Sequence, residues 1–218
     1  MATCEPLVSH SDYFCNLRKT HRRFYRILTH NDDLIEAIPN GIFLPFGSTW
    51  VPEWNDLRIV KTRHCSLIAS EQNWLPGHRL RHQIVKWAQN AEIEIDALGK
   101  GYRPIQPKAA GLAPYRFSVV IENIQEQHYF SEKIVDAILC KTVPIYWGCP
   151  NIADFFDTSG MIVCQTEEDL RRELNKINEE RYYQLLPKLC KAREQAAYWA
   201  DLEGRAAHAV LGTGLNPV

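Results

Sequence analysis

A mostly parallel α/β sheet is the fold class this sequence predicts, on three observations. Tyr115 to Ile121 and Val143 to Trp147 are short apolar runs rich in β-branched and aromatic residues, the composition of strands buried on both faces. Between them lies one helix: Ser131 suits an N-cap, and the apolar-rich run Lys133 to Leu139 follows it. Upstream, Cys65 to Ala97 repeats the strand, polar loop, helix and strand in the same order. Strands alternating with helices pair in parallel.

In chain order, Ser11 to Arg26 predicts a helix with Tyr13, Leu17, Phe24 and Tyr25 among its apolar positions. Its Arg18, Lys19, Arg22 and Arg23 read as a solvated face. Tyr25 to Thr29 is a short strand. Asn31 caps a short helix through Ile38, and Pro39-Asn40-Gly41 turns the chain. The proline-bracketed stretch Pro45 to Trp54 marks a domain boundary, which divides the chain into residues 1–52 and 53–218. Beyond it, Cys65 to Ala69 is a strand and His78 to Gln89 a helix. Ile93, Ile95 and Ala97 alternate with Glu92, Glu94 and Asp96, as a strand should. Met161 to Cys164 is a further strand, and Glu167 to Leu211 is largely helical in two segments.

With 218 residues and 45% hydrophobic residues the chain can close a sizeable core. A net charge of -1 and a pI near 6.7 argue against generic binding to nucleic acid or anionic membranes, so any phosphate recognition must be local. Seven cysteines without CxxC or zinc spacing read as free thiols. The first residues lack the charged and apolar regions of a signal peptide, and no apolar run approaches the roughly 20 residues of a membrane span. A cytoplasmic protein without a transmembrane segment is the expectation.

Parallel sheets bind ligands at the carboxyl ends of their strands. Three loops fall there: Ser70 to Arg81, Gly99 to Tyr102 and Glu122 to Lys133. They carry Arg79, Arg81, Lys100, Asn123, Tyr129, Glu132 and Lys133. Two or three cations beside a helix N-terminus suit a diphosphate, and a carboxylate suits ribose hydroxyls. Lys133 stands in the first turn of its helix, where the dipole disfavours a cation. It is either solvated and partnered by Glu132 or turned toward an anion. Neither GxGxxG nor a Walker A sequence is present, which speaks against a dinucleotide cofactor or a P-loop kinase. His78 and His82 have i,i+4 spacing but lack the glutamate and third ligand of a zinc site. The acidic run from Glu92 to Asp96 reads as a solvated strand face.

The stretch IENIQEQHYFSEKIVDAILCKTVPIYWG resembles the α1,3-fucosyltransferases, above all their bacterial branch. It carries Glu122-Asn123, Tyr129, Glu132-Lys133, Val143-Pro144 and Gly148 in the family's order. The resemblance implies a GT-B fold: a Rossmann-like donor-binding domain in residues 53–218, preceded in 1–52 by a remnant of the Rossmann-like acceptor domain. It implies inverting transfer of fucose from GDP-fucose to a glycan hydroxyl, with no cofactor and no obligatory metal. Glu5, in Glu5-Pro6, corresponds to the catalytic base. Arg79 and Lys133 correspond to the diphosphate contacts, with Arg81 the rival of Arg79. Glu132 corresponds to the ribose contact, and Asn123 and Tyr129 line the pocket. The partners implied are GDP-fucose and a glycan acceptor, and the abbreviated first domain favours self-association. A GDP-sugar-binding module without turnover is the alternative.

Overall fold

The computed structural model describes residues 2–3 and 11–212, and its strands form two parallel sheets. The first has three strands in the order β1 (Ala2–Thr3), β2 (Ile27–Thr29) and β3 (Gly41–Phe43). Helix α1 (Ser11–Thr20) precedes β2, and α2 (Asp32–Ala37) joins β2 to β3. Asn31 caps α2 as expected, accepting from the Leu34 amide. Phe14, Leu17, Ile27, Leu34 and Ile38 form a small core of their own.

The second sheet contains β4 (Arg63–Ile68), β5 (Asp96–Leu98), β6 (Tyr115–Ile121), β7 (Val143–Trp147) and β8 (Ile162–Val163). Their order is β5-β4-β6-β7-β8, all parallel. The chain therefore turns outward from β4 to β5 and then returns to the other side of β4 as β6. That reversal opens a crevice between the carboxyl ends of β4 and β6, the switch point where doubly wound sheets bind ligands.

Burial on both faces explains the continuous apolar runs: every residue of β7 is buried, as are five of the eight residues of α4 (Glu132–Leu139) at zero exposure and apolar. Pro144, unexpected in a central strand, is tolerated because β8 pairs β7 only at Ile145 and Tyr146.

The alternation from Glu92 to Ala97 is not one strand. Helix α3 (Pro76–Asn90) ends with Glu92 in the left-handed region, φ 55°, and the Ile93 amide bonds back to the Ala88 carbonyl. This is a helix C-cap, and the acids that follow it do not share a strand face. Only Asp96 reaches the sheet, where it meets Arg63 at 2.8 Å and accepts from the Tyr115 hydroxyl at 2.7 Å. The helical tail comprises α5 (Glu167–Leu174), α6 (Glu179–Ala200) and α7 (Leu202–Leu211). No described helix is long and apolar enough to cross a membrane.

Two sets of contacts tie the sheets together. Arg205 of α7 is buried and donates to the carbonyls of Pro45 and Gly47. In the loop after β6, Glu126 lies 3.1 Å from His30 and His128 lies 3.0 Å from Asp32, so each side supplies one histidine and one carboxylate.

Lys61 carries a pH-dependent contribution to stability. Its ammonium donates to the Cys140 carbonyl and the Thr142 hydroxyl, both at 2.8 Å, and burial pushes its pKa from 10.5 down to about 7. Between those values the unfolded chain holds the extra proton, so this contribution to stability rises with pH. The rise is at most about 1.4 kcal/mol per pH unit. Urea melts from pH 7 to 10 should show wild type gaining on Lys61→Met. Parallel curves would mean that Lys61 keeps its proton.

Candidate functional site

The crevice at the switch point holds a cavity of about 630 Å³, the size of a small-molecule site. Its walls come from the end of β4 (Ile68 to Ser70), the end of β6 (Ser118 to Ile121) and the N-terminal turns of α3 and α4. All three loops expected at the site contribute to it. Among the described residues, Arg81, Lys100, Lys108 and Lys133 bring four cations to its lining, against Glu132 as the single carboxylate. An anion is the ligand this charge distribution favours, and two helix N-termini add to it.

On the α4 side, Ser131 caps the helix by accepting from the Lys133 amide, as expected. The same hydroxyl donates to Glu122 Oε2 at 2.7 Å, and the Ser131 amide donates to Glu122 Oε1 at 2.9 Å. Glu122 has no exposed surface. Its carboxylate also lies 3.4 Å from Lys133 Nζ, which in turn lies 3.0 Å from Ser131 Oγ and 3.6 Å from Glu132 Oε1. Lys133 is thus neither simply solvated nor paired with Glu132 alone: it bridges two carboxylates at the cavity edge. Burial pushes the Glu132 carboxyl up, but Lys133 and Lys108 more than offset this and hold it at about 2. Glu132 is therefore anionic throughout the physiological range.

On the α3 side, the two arginines separate. Arg79 does not line the cavity; it donates to the Trp74 carbonyl at 2.6 Å in an exposed position. Arg81 does line it and is 5% exposed. Its Nε donates to the Ile121 carbonyl at 3.0 Å and one terminal nitrogen donates to Asn123 Oδ1 at 3.0 Å. Burial lowers the Arg81 pKa, against the pull of Glu122. Helical geometry explains the difference: positions two apart on a helix face different sides, and the Arg81 side faces the end of β6. His78, one turn before His82, also lines the cavity. Burial, then the Arg81 charge, lowers its pKa and keeps it neutral. His82 instead bonds the Tyr102 hydroxyl and the Gln72 carbonyl. No group of metal-ligating side chains occurs among the described residues.

Asn123, Glu132 and Lys133 thus meet in the cavity as expected from sequence. Tyr129 does not line it. Its side chain is 2% exposed, clusters with Leu75 and Ile124, and sets its ring against His30 with centroids 5.6 Å apart. Glu5 lies outside the described residues. Lys108 and Trp50 in the lining were not singled out from sequence, and Glu122, named there only as a motif position, was not expected as the buried anchor. Glu122 did carry a signal, because a carboxylate directly after the apolar run Val119-Val120-Ile121 of a central strand must be buried or paired. Lys108, inside a proline-containing loop, carried none.

The model of glycosyltransferase family 10 (fucosyltransferase), C-terminal part, matches residues 60–186, which contain nearly the whole cavity lining. An alpha-(1,3)-fucosyltransferase of Helicobacter pylori is 39% identical over 62 residues, 28% of this chain and 13% of that protein. A putative fucosyltransferase-like protein of Arabidopsis thaliana is 28% identical over 160 residues, 71% of this chain and 30% of that one. The chain therefore spans less than a third of either relative. A crystal structure of an alpha1,3-fucosyltransferase with GDP superposes with a TM-score of 0.58 at 15% identity, over 89% of this chain and 72% of that one. At that identity the likeness shows the shared fold, the GT-B arrangement. The family match covers more than half of the chain and includes its larger sheet, and on it the chain belongs to glycosyltransferase family 10, the fucosyltransferases.

Proposed function

We propose that this chain binds a GDP-sugar in the switch-point cavity and transfers L-fucose from GDP-fucose to a glycan hydroxyl with inversion. The observation that carries the reading is the cavity itself: among the described residues, four cations and one carboxylate that its lysines keep ionised, between two helix N-termini, inside the region matched to the family. In this reading Arg81 and Lys133 bind the diphosphate, and Arg81 takes the role that sequence assigned to Arg79. Glu132 accepts from ribose hydroxyls, and Asn123, held by Arg81, faces the pyrophosphate or sugar.

The chemistry asks little else of the donor side. The acceptor oxygen forms a bond to the anomeric carbon as the bond from that carbon to the β-phosphate oxygen breaks. The electron pair leaves with GDP, and the charge developing on its β-phosphate is stabilised by Arg81, Lys133 and the α4 N-terminus. A carboxylate takes the proton of the acceptor hydroxyl, help worth about 10²–10⁴-fold. Glu5 is our candidate for that base. With fixed cations on the leaving group, the reaction needs neither a cofactor nor an obligatory metal.

Titration calorimetry with GDP-fucose, GDP-mannose, GDP and UDP tests the donor side, followed by an assay for GDP release with a panel of glycan acceptors. Preference for GDP over UDP and for fucose over mannose, with GDP released, is the expected result. GDP binding without turnover would leave a GDP-sugar-binding module. Absence of GDP binding would remove both.

A further inference from the structure

Lys108 belongs to a 3₁₀ turn at Lys108–Gly111 and lines the cavity. Its ammonium lies 3.2 Å from Glu132 Oε1 and 2.8 Å from Asp136 Oδ2. Those carboxylates are four residues apart on α4, where like charges face and repel each other. Asp136 has no exposed surface and is held from its other side, accepting from the Thr49 hydroxyl at 2.5 Å and the Trp50 amide at 3.1 Å. The Trp50 ring covers the ammonium at 4.7 Å. Burial alone would lower the Lys108 pKa, yet Glu132 and Asp136 outweigh burial and raise it, so the bridging charge persists.

We propose that Lys108 is a positioning residue for ligand recognition: fixed by Asp136 and Trp50, it clamps one oxygen of Glu132 and so aims the other at a vicinal diol in the cavity. Both lysine contacts to Glu132 are to Oε1, at 3.2 Å from Lys108 and 3.6 Å from Lys133. Lys133, 3.6 Å from that same oxygen, competes for it. Without Lys108 the carboxylate swings toward Lys133 and away from the repulsion of Asp136. The inference rests on the nucleotide reading above. It adds that discrimination between ribose and 2′-deoxyribose is set by a residue that need not touch the sugar.

The test is calorimetry of GDP and 2′-deoxy-GDP with the full chain, as wild type, Glu132→Gln and Lys108→Met. Wild type should prefer GDP by about 10-fold or more, the scale of one charge-assisted hydrogen bond. Glu132→Gln should lose most of that preference, and Lys108→Met should lose it too while still binding both nucleotides. Lys108→Gln, which keeps a donor but not the charge, replaces the methionine variant if that one does not fold, with the same expected loss. A preference that survives removal of the Lys108 charge overturns the inference while leaving the nucleotide reading intact. No preference in a wild type that binds GDP also overturns it, and a wild type that binds neither nucleotide overturns both.

Discussion

Arg81→Met is expected to weaken GDP binding about 100-fold, while Arg79→Met binds GDP within about 2-fold of wild type. The two side chains are two residues apart and chemically identical, so only their placement separates them. Arg81 is 5% exposed, lines the cavity and hydrogen-bonds the Ile121 carbonyl and Asn123 Oδ1. Methionine there removes a cation from the cavity, releases Asn123 and leaves Glu122 with less compensation. A hydrogen bond to a charged group is worth about 1.5–3 kcal/mol, and the upper end of that range corresponds to the predicted loss. Arg79 reaches only the Trp74 carbonyl in an exposed position. Titration calorimetry, with folding checked by circular dichroism, distinguishes the two. A large loss at Arg79 with little at Arg81 would show that the cavity is not the diphosphate site.

Gly77→Ala should destabilise the protein by about 3 kcal/mol or more and abolish nucleotide binding. Gly77 is the second residue of α3, and its amide donates to the Asn123 carbonyl at 2.8 Å. A Cβ there would stand 1.8 Å from the Glu122 carbonyl oxygen and 2.8 Å from that of Asn123. The obstruction is backbone on both counts, so no rotamer change relieves it. Helix α3 and the end of β6 would have to separate, which tears Arg81 from Ile121 and opens the cavity floor. Urea denaturation followed by calorimetry is the check, and a midpoint within error of wild type would refute so close an approach. Gly148 stands under a similar constraint from the other side, since a Cβ there would meet Glu122 Cγ at 2.5 Å and the Tyr146 hydroxyl at 2.6 Å. Glu122 is thus walled in by two glycines.

The larger sheet was legible because its strands and helices differ in period and because burial leaves clear runs. Tyr115–Ile121 and Val143–Trp147 coincide with β6 and β7 to the residue. The short edge strand β5 was not legible in its bounds, because helix termination and strand initiation both place polar and apolar residues side by side between Glu92 and Ala97. In the site, Glu132 and Lys133 could be placed because the Ser131 cap defines the first turn of α4 and thereby which side chains crowd its N-terminus. Tyr129 could not, since an aromatic in a loop serves a pocket or a core equally well, and contact with His30 from the other sheet decided for the core.

What the sequence determined by itself is local: where the buried strands β6 and β7 run, where α2 and α4 begin, and that Glu122, Asn123, Glu132 and Lys133 gather beside the N-terminus of α4. Hydrogen-bonding period and capping act over a few residues, so they can be read along the chain. Only the tertiary structure decided which of two arginines turns inward. Only it brought Lys108 and Trp50 to Glu132 and buried Glu122 between two glycines. Those outcomes depend on desolvation and on contacts between residues far apart in the chain, such as the Trp50 amide with Asp136, 86 positions away, and no local pattern records them.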